Sequence, residues 1–501
     1  MLEADTVFHE SSPGILVRTL TGLESGVCVG SEFGGCSHTT FSVGITFSKP
    51  ISAAELRQSL RRVLVRLRHL APSIACKLSK QSSDKYQFSY AVPKTLDDAL
   101  TWVNDILFFE RGEGGFTASH EHVVRERWWR ASEGKYTHQY YITPIDATTD
   151  GSCSWAFSLS AHHSNIDGRS AWMVFDKLLS FLTEDLRGGA PPIEDLVWGK
   201  ETSRLPPTPL NPFILHLRTL QIPWLYHPLS YKSIEGGDFV YRISLTLEET
   251  ARMHVACKKH GKTVTQVVTA LLCLGNAEAV LRNAANTSPD TFREVADGLA
   301  AATHLPTGLT SMNVRKHLPL SYQTLESEHS TPLYAADAFP LAPFDIEPYR
   351  RMLQVDAEKL EVSRTVDKAA FWDGMTQSVA ESWKAVEGTF ESFRRNTSRF
   401  SVVAEKESDP REGTVPLFTS FGDMTRLGLL ESVRPPKGNG TLVVDDIDFT
   451  TRSTLPNPHF SFFQYDGRFV VKIVHGKTFS SEKDMELRAR IIKEWFSVLF
   501  D

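Results

Sequence analysis

The stretch His162-His163-Ser164-Asn165-Ile166-Asp167-Gly168 stands between two strongly patterned segments. Before it, Ser154 to Ala161 alternates apolar and small polar residues with a period of two, which predicts a strand. After it, apolar residues recur at helical spacing from about Arg169 to Leu186, which predicts an amphipathic helix. The two histidines and the aspartate therefore lie at a strand-to-helix turn, where side chains can reach a cleft.

Proton transfer is the chemistry that this turn favours. The N-terminus of the following helix disfavours an imidazolium ion, so we expect His163 to be neutral and able to accept a proton. Asp167 could orient that imidazole, cap the helix, or hold the turn through another bond. Gly168 would permit a close backbone approach at the turn. A histidine pair alone is more often a packing or surface feature, so the prediction depends on the whole string.

Strand and helix patterns continue on both sides of this turn. In the first half we predict strands at Phe41 to Phe47 and Thr137 to Thr143, and a helix at Ala53 to Leu70 that Ser52 caps. In the second half we predict strands at Phe239 to Leu245, Leu309 to Val314 and Val415 to Phe421, and a hairpin from Ser461 to Val474 around Asp466-Gly467. Predicted helices follow Thr246, Thr263 or Thr265, and Ser480 or Ser481.

One proline-rich segment divides the chain. Lys200 to Ser230 contains six prolines, a density that excludes a regular helix or a central strand. We therefore predict an N-terminal subdomain at 1–199, a crossover linker at 200–235 and a C-terminal subdomain at 236–501. The fold class is α/β, and each half is expected to hold a mixed β-sheet flanked by helices.

Composition narrows the class of protein further. The 501 residues have a formal net charge of −6, which gives no basic field for a nucleic acid. The N-terminus is acidic and lacks an apolar signal region, and no uninterrupted apolar run reaches the length of a membrane span. Six cysteines without a CxxC pair argue against a metal site and against a disulfide framework. We expect a cytoplasmic protein with free thiols, no metal site, and no nucleic-acid or membrane partner.

His162 to Gly168 resembles the HHxxxDG motif of the chloramphenicol acetyltransferase-like superfamily, which includes condensation domains, alcohol acetyltransferases and plant BAHD acyltransferases. Arg18 to Glu24 resembles the start of the fungal alcohol acetyltransferase-type members, and Thr419-Ser-Phe-Gly-Asp423 resembles their second signature. The general pattern is similar to fungal trichothecene 15-O-acetyltransferase-type tailoring enzymes. The chain lacks the DFGWG string of the plant members, which argues against a plant-type enzyme.

The resemblance implies a fold of two such subdomains with an active-site tunnel at their interface. His163 would be the general base, and Asp167 would be mainly structural, paired with an arginine for which Arg66 and Arg68 are candidates. His162 would pack or hydrogen-bond locally, and Gly168 would serve the turn. Thr419, Ser420 and Gly422 would line the tunnel opposite His163, with Ser420 as an oxyanion donor. Asn313-Val314-Arg315 resembles a recurrent strand segment, to which we assign a structural role, and Trp155, Trp172 and Phe175 are expected in the core.

The same resemblance implies an O-acyltransferase that needs no bound cofactor. Acetyl-CoA, or another acyl-CoA, would be the co-substrate, and the acceptor would be a hydroxylated secondary metabolite such as a trichothecene-like terpenoid. A monomer is expected. Two alternatives stay open: the acyl group could come from the phosphopantetheine of a carrier protein, as in condensation domains, or the fold could serve a ligand-binding or cyclase-like protein. An intact His163, Asp167 and Gly168 argue against the second alternative.

Overall fold

A computed structural model describes residues 7–82, 85–112, 114–146, 151–207, 237–305, 309–313, 315, 336–340, 343–393, 416–436, 438–454 and 457–500. The chain divides into two compact units. The first unit contains the described residues within Met1–Phe213, Asn313–Asp337 and Asp423–Arg452. The second contains those within Ile214–Met312, Ala338–Gly422 and Ser453–Asp501. Most of the predicted linker, together with Val314 and Val415, lies outside the described residues.

The strands, in chain order, are β1 His9–Ser12, β2 Ile15–Thr19, β3 His38–Ile51, β4 Lys77–Lys80, β5 Tyr86–Ala91, β6 Leu107–Phe109, β7 His138–Pro144, β8 Ser152–His162, β9 Asp238–Ser244, β10 His304–Leu305, β11 Leu309–Asn313, β12 Ala336–Pro340, β13 Phe344–Asp345, β14 Leu353–Asp356, β15 Glu361–Arg364, β16 Leu417–Asp423, β17 Leu442–Thr451, β18 His459–Tyr465 and β19 Arg468–Gly476. All the strands predicted from the sequence are present, with ends that shift by a few residues.

The helices are α1 Gly22–Ser31, α2 Ala53–Leu70, α3 Leu96–Ile106, α4 Gly115–Glu126, α5 Gly168–Leu186, α6 Leu247–Lys259, α7 Val264–Thr287, α8 Pro289–Ala301, α9 Glu347–Met352, α10 Thr376–Phe393 and α11 Glu482–Phe500. A π-helical turn, Ala370–Met375, precedes α10. The predicted caps are confirmed for α2 and α6, where Ser52 and Thr246 accept from the backbone N–H three residues on. Of the alternatives left open, Thr263 caps α7 and Ser481 caps α11.

A five-stranded mixed sheet organises the first unit, in the order β17-β3-β8-β7-β6. β6 runs parallel to β7, and the other neighbours are antiparallel. Because side chains alternate across each strand, Phe41 and Leu159 share one face, which packs against α5 through the edge-to-face contact of Phe41 with Trp172. Trp155, Trp172 and Phe175 are buried, which confirms the predicted core positions.

The opposite face of this sheet is polar and yet buried. α4 covers it, with Phe116 against Gly44 and His120 against the strands. His120 Nδ1 is 2.8 Å from Ser42 Oγ, which is 2.7 Å from Ser158 Oγ. A buried hydroxyl without a hydrogen bond costs about 1–3 kcal/mol, so such side-chain bonds are what allow a polar sheet face to be covered.

The first unit is not contiguous in sequence. β17 pairs with β3 from Leu442↔Phe47 to Thr451↔Thr39, with one bulge between Val444 and Asp446. Residues 423–452 therefore belong to the first unit by their contacts, whereas the sequence-based boundaries placed them in the subdomain at 236–501.

The second unit contains a six-stranded sheet in the order β12-β11-β16-β18-β19-β9. β11 runs parallel to β16, and β18, β19 and β9 are antiparallel neighbours. The predicted Asp466-Gly467 turn joins β18 to β19, with Tyr465 opposite Arg468. Both units thus contain a mixed sheet, as predicted.

Helix α7 is the central helix of the second unit and is buried on almost all sides. By length and composition it could cross a membrane, but 83% of its most apolar window is buried inside the protein, as in the core helix of a soluble domain. It approaches α11 closely at Gly275, where an added Cβ would lie 2.7 Å from Ile492.

A buried carboxylate ties α7 to its neighbours. Glu278 has no exposed side-chain surface and accepts hydrogen bonds of 2.7 Å from Arg282, Arg364 and the Trp495 indole. Arg364 also lies over the Trp495 ring, 4.9 Å from its centroid. Charge-assisted bonds from three donors compensate for the loss of water around this carboxylate.

We predict that Glu278→Ala lowers the free energy of unfolding by about 3 kcal/mol, because it leaves two guanidinium groups without their shared carboxylate. Urea denaturation measures the change. Glu248→Ala is the matched control, since Glu248 forms an exposed pair with Arg252 at the same helical spacing and should cost about 0.5 kcal/mol or less. Equal losses in the two variants would contradict the assignment of Glu278 as a structural centre.

Candidate active site

The HHxxxDG segment forms a short and heavily bonded turn. β8 ends at His162, a 3-10 turn spans His163–Asn165, and α5 begins at Gly168. Asp167 is the N-cap of α5: its carboxylate accepts from the Ser170 N–H at 2.8 Å, and the Ser170 hydroxyl accepts from the Asp167 N–H at 3.0 Å. This reciprocal capping box fixes the direction in which the chain enters the helix.

His163 is half-buried, and its tautomer follows from one hydrogen bond. Nδ1 lies 2.7 Å from the carbonyl oxygen of Ile166. A carbonyl oxygen only accepts, so Nδ1 carries the hydrogen and donates it. In the neutral imidazole, Nε2 then has the lone pair, which is the atom a general base requires.

His162 is completely buried, and its hydrogen bonds favour the opposite tautomer to that of His163. Its Nδ1 accepts from the Ser164 backbone N–H at 3.4 Å and lies 2.8 Å from the Ser164 hydroxyl. Burial lowers its pKa to about 3, with the neighbouring His163 adding to the shift. The ring is therefore neutral near pH 7, and its bonds are local.

Asn165 and Ile166 fix the turn to the rest of the first unit. The Asn165 side-chain amide donates to the backbone carbonyl of Ser73 at 2.7 Å and to the Thr137 hydroxyl at 2.8 Å. Ile166 is 1% exposed. The Asn165 side chain thus joins the turn to two other segments of the first unit.

Arg315 is the ionic partner of Asp167. Its Nη2 donates to both carboxylate oxygens of Asp167, at 3.0 and 2.8 Å, and both side chains are buried. Asn313 in turn accepts from the Arg315 backbone N–H at 3.1 Å and from its Nη1 at 3.2 Å. The prediction that Asp167 pairs with an arginine is confirmed.

The two arginines proposed from the sequence for this role were wrong. Arg66 pairs with Glu184 at 2.7 Å, and its guanidinium lies over the Phe181 ring. Arg68 donates to the Ala91 carbonyl at 2.6 Å. Both lie on α2, and helix position alone does not distinguish an arginine that reaches the turn from one that contacts neighbouring helices and loops.

Gly168 is the first residue of α5, and its φ is not in the positive range. Any residue adopts that conformation, so the turn does not require glycine through a positive φ. The predicted role of Gly168 in a close backbone approach stays a prediction.

The second signature forms the end of β16, in the second unit. The Thr419 hydroxyl lies 3.0 Å from His459 Nε2 and 3.3 Å from the Ser311 hydroxyl, whereas Ser420 Oγ lies 3.3 Å from Thr265 Oγ1 near the start of α7. Gly422 has a φ of +73°, a conformation that favours glycine. The tunnel-lining roles of Thr419, Ser420 and Gly422 stay predictions.

Sequence reasoning missed Arg315 as the partner of Asp167, although it had singled out Asn313-Val314-Arg315 as a structural segment. The signal was present in that segment: an arginine directly after a predicted strand is well placed to contact another turn. Among the described residues, no group of three metal-ligating side chains is found, and all six cysteines are free.

Comparison with known proteins gives similarity in structure alone. No family model matches the chain, and no curated protein matches it. The chain is similar to the solved structure of TRI3 trichothecene 15-O-acetyltransferase from Fusarium sporotrichioides, with a TM-score of 0.73 and 15% identity over 100% of this chain and 98% of that one.

Two further structures agree with this match. The first condensation domain of the calcium-dependent antibiotic synthetase has a TM-score of 0.57 and 13% identity, over 99% of this chain and 97% of that one. TRI101 of F. sporotrichioides, complexed with coenzyme A and T-2, has a TM-score of 0.56 and 12% identity, over 96% of this chain and 98% of that one. The predicted fold class, with two subdomains that each hold a mixed sheet, is confirmed.

We predict that Asp167→Asn lowers the free energy of unfolding by about 3 kcal/mol. Asparagine still caps a helix, so the loss reports on the buried Arg315 charge that remains without a partner. Adding Arg315→Met should recover part of this loss, and a double-mutant cycle by urea denaturation gives the coupling. Glu184→Gln, which loosens the more exposed Arg66 pair, is the control. Additive effects of the Asp167 and Arg315 changes would contradict the pairing.

We also predict that stability falls as the pH drops below about 6.5. Burial lowers the pKa of both His138 and His162 to about 3, so the unfolded chain binds protons that the folded chain does not. Each residue then contributes a slope approaching 1.4 kcal/mol per pH unit between about 6.5 and 3.

Urea denaturation between about pH 6.5 and 5, above the range of ordinary carboxylates, measures this slope. His138→Gln should reduce the proton uptake on unfolding by nearly one proton relative to the unsubstituted protein. An unchanged slope in that variant would show that His138 is protonated in the folded state.

Proposed function

We propose that this chain, which has the chloramphenicol acetyltransferase-like fold, transfers an acyl group from a thioester to a hydroxyl. The observation that supports this proposal most strongly is the bond from His163 Nδ1 to the Ile166 carbonyl. It leaves the Nε2 lone pair for the proton of an acceptor alcohol. The general acyl-transfer reaction also agrees with structural similarity to acetyltransferases and to condensation domains.

The reaction balances with His163 as the only proton carrier. Nε2 takes the hydroxyl proton while the alcohol oxygen attacks the thioester carbonyl carbon, which forms a tetrahedral oxyanion. Collapse of this intermediate breaks the carbon–sulfur bond and releases the thiolate. The proton on His163 then passes to the sulfur, which yields the ester, the free thiol and the original neutral imidazole.

The other residues of the turn act by position. Asp167 is bound to Ser170 and Arg315, so we assign it the role of holding the start of α5. The bond to the Ile166 carbonyl also stabilises the imidazolium that forms in the transition state, because a charged ring is a stronger donor than a neutral one. Because the turn is fixed before substrate arrives, little reorganisation is needed during the reaction.

For the substrates, we propose acetyl-CoA as donor and a hydroxylated secondary metabolite, such as a trichothecene-like terpenoid, as acceptor. Support comes from the solved neighbours: TRI3 is a trichothecene 15-O-acetyltransferase, and TRI101 was solved with coenzyme A and T-2. No resident cofactor is required by this reaction, since acyl-CoA is consumed as a substrate.

A carrier-protein thioester is the second candidate for the donor. This candidate is supported by the structural similarity to the condensation domain, which has a TM-score of 0.57 over 99% of this chain. The two donors share the same reactive group, a pantetheine thioester, and differ in what surrounds it. Activity with acetyl-CoA or only with an acylated carrier protein distinguishes them.

We predict that thiol release from acetyl-CoA depends on an acceptor alcohol and falls by a factor of about 10² or more in His163→Ala. The assay follows free thiol across a panel of terpenoid and polyketide alcohols, with mass spectrometry of the ester. His9→Ala, which removes an exposed histidine from the same unit, is the control and should retain full activity.

Acceptor-dependent release that survives His163→Ala would overturn the assignment of the base. Release that requires an acylated carrier protein would replace the donor and keep the residue. Absence of ester with both donors across the panel would count against acyl transfer itself.

A further inference from the structure

His162, the first histidine of the HHxxxDG segment, lies beside a second buried histidine, His38. His38 begins β3 and is the cross-strand partner of His162 at the end of β8. They are 3% and 0% exposed, and their ring centroids are 6.3 Å apart at an interplanar angle of 83°. Both lie on the polar face of the sheet, and Ser160, two residues before His162, contacts the His38 ring.

The hydrogen bonds of Ser160 fix the tautomer of His38. The Ser160 hydroxyl donates its one hydrogen to the Arg127 carbonyl, which only accepts. It must therefore accept from His38 Nε2, which is 2.8 Å away. Burial, followed by the nearby His162 and Arg452, lowers the pKa of His38 well below its usual range. The ring is neutral, so its Nδ1 has a bare lone pair.

His162 presents the complementary atom. Its Nδ1 accepts from the Ser164 backbone N–H, so the hydrogen of the neutral ring is on Nε2. Among the described residues, neither His162 Nε2 nor His38 Nδ1 has a protein hydrogen-bond partner. A buried donor and a buried acceptor thus lie on adjacent rings, and either would destabilise the fold if it were left without any bond.

The two nitrogens cannot bond directly. With the centroids 6.3 Å apart, nitrogens of the two rings come no closer than roughly 4 Å, which is beyond direct hydrogen-bond range, so a bond between the two rings needs a bridging group. Trp129 lies against the same group, with its ring centroid 4.3 Å from that of His38. Its buried Nε1–H likewise has no protein partner among the described residues.

We propose that a single buried water molecule binds here, donating to His38 Nδ1 and accepting from His162 Nε2 and from Trp129 Nε1. Three protein partners are what an internal water typically has. A water molecule suits this position because it is small and can both donate and accept hydrogen bonds.

The water completes a chain of hydrogen bonds that all run in one direction. The Ser164 N–H donates to His162, His162 to the water, the water to His38, His38 to Ser160, and Ser160 to the Arg127 carbonyl. The 3-10 turn that contains His163 is thereby attached to the end of α4. His38 is then a positioning residue, a consequence that rests on the proposed function, whereas the water site does not.

A crystal structure at about 1.5 Å resolution tests the site directly. We expect one ordered water with its oxygen within about 3.2 Å of His38 Nδ1 and His162 Nε2. Rings in the same pose with no water between them would overturn the proposal, as would rings that have moved into direct contact.

The ring tautomers give a second test that does not depend on crystals or on activity. Imidazole ¹⁵N NMR of the folded protein should show His38 and His162 both neutral with hydrogen on Nε2, while His163 has its hydrogen on Nδ1. His38→Phe, His162→Phe and His163→Phe each remove one set of signals and so assign them. Hydrogen on Nδ1 of either His38 or His162 would reverse a link in the chain and overturn it.

The positioning role is tested by activity. His38→Phe keeps a ring of similar size but removes the acceptor, and we expect kcat of acyl transfer to fall about tenfold with little change in KM. Trp129→Phe removes one donor and leaves the bridge, so it should have a smaller effect. Tyr140→Phe, which removes an unpartnered buried hydroxyl from β7, is the control and should leave kcat unchanged.

Unchanged kcat in His38→Phe, measured on a protein with unchanged thermal stability, would refute the positioning role. If the unsubstituted protein transfers no acyl group, the proposed function fails, and the crystal and NMR results still decide the water site.

Discussion

The buried bond between Asp167 and Arg315 is the constraint on which the candidate site depends. Asp167 caps α5 and ends the turn, so the position of its carboxylate sets where the helix starts. A buried carboxylate is stable only when a cation and further donors surround it, and Arg315 with Ser170 supplies both. The cost of burying the two charges is offset only in this geometry, which makes the pair specific for one arrangement of the turn.

Buried polar groups that are stabilised by specific partners also occur in the five-stranded sheet. Its apolar face packs against α5 through contacts that, unlike hydrogen bonds, do not depend on direction, as in any hydrophobic core. Its polar face is buried under α4 and is stable because serine, threonine and histidine side chains satisfy one another, as Ser42 does with His120 and Ser158. Because these bonds are directional, such a polar layer admits few alternative packings, so it supports the HHxxxDG turn more rigidly than an apolar layer would.

Local features of this fold were predictable from the sequence, and distant ones were not. The period of β8, the helix that begins after Asp167 and the capping box of α6 depend on residues close in sequence, so pattern and spacing were sufficient. Arg315 lies 148 residues after Asp167, and β17 joins β3 from the far end of the chain. Spacing and periodicity contain no information on such pairings, which explains why Arg66 and Arg68 were chosen and why the boundary at 236–501 differs.

The two adjacent histidines show how hydrogen bonds decide chemical roles. In His162 the Nδ1 accepts from a backbone N–H, and in His163 the Nδ1 donates to a backbone carbonyl. The neutral rings are therefore opposite tautomers: His162 has hydrogen on Nε2, and His163 has a lone pair there. Residue type and position in the motif are nearly the same for both, yet only His163 combines an Nε2 lone pair with partial exposure. The backbone of the 3-10 turn, which presents an N–H to one ring and a carbonyl to the other, makes one histidine structural and the other suited to act as a base.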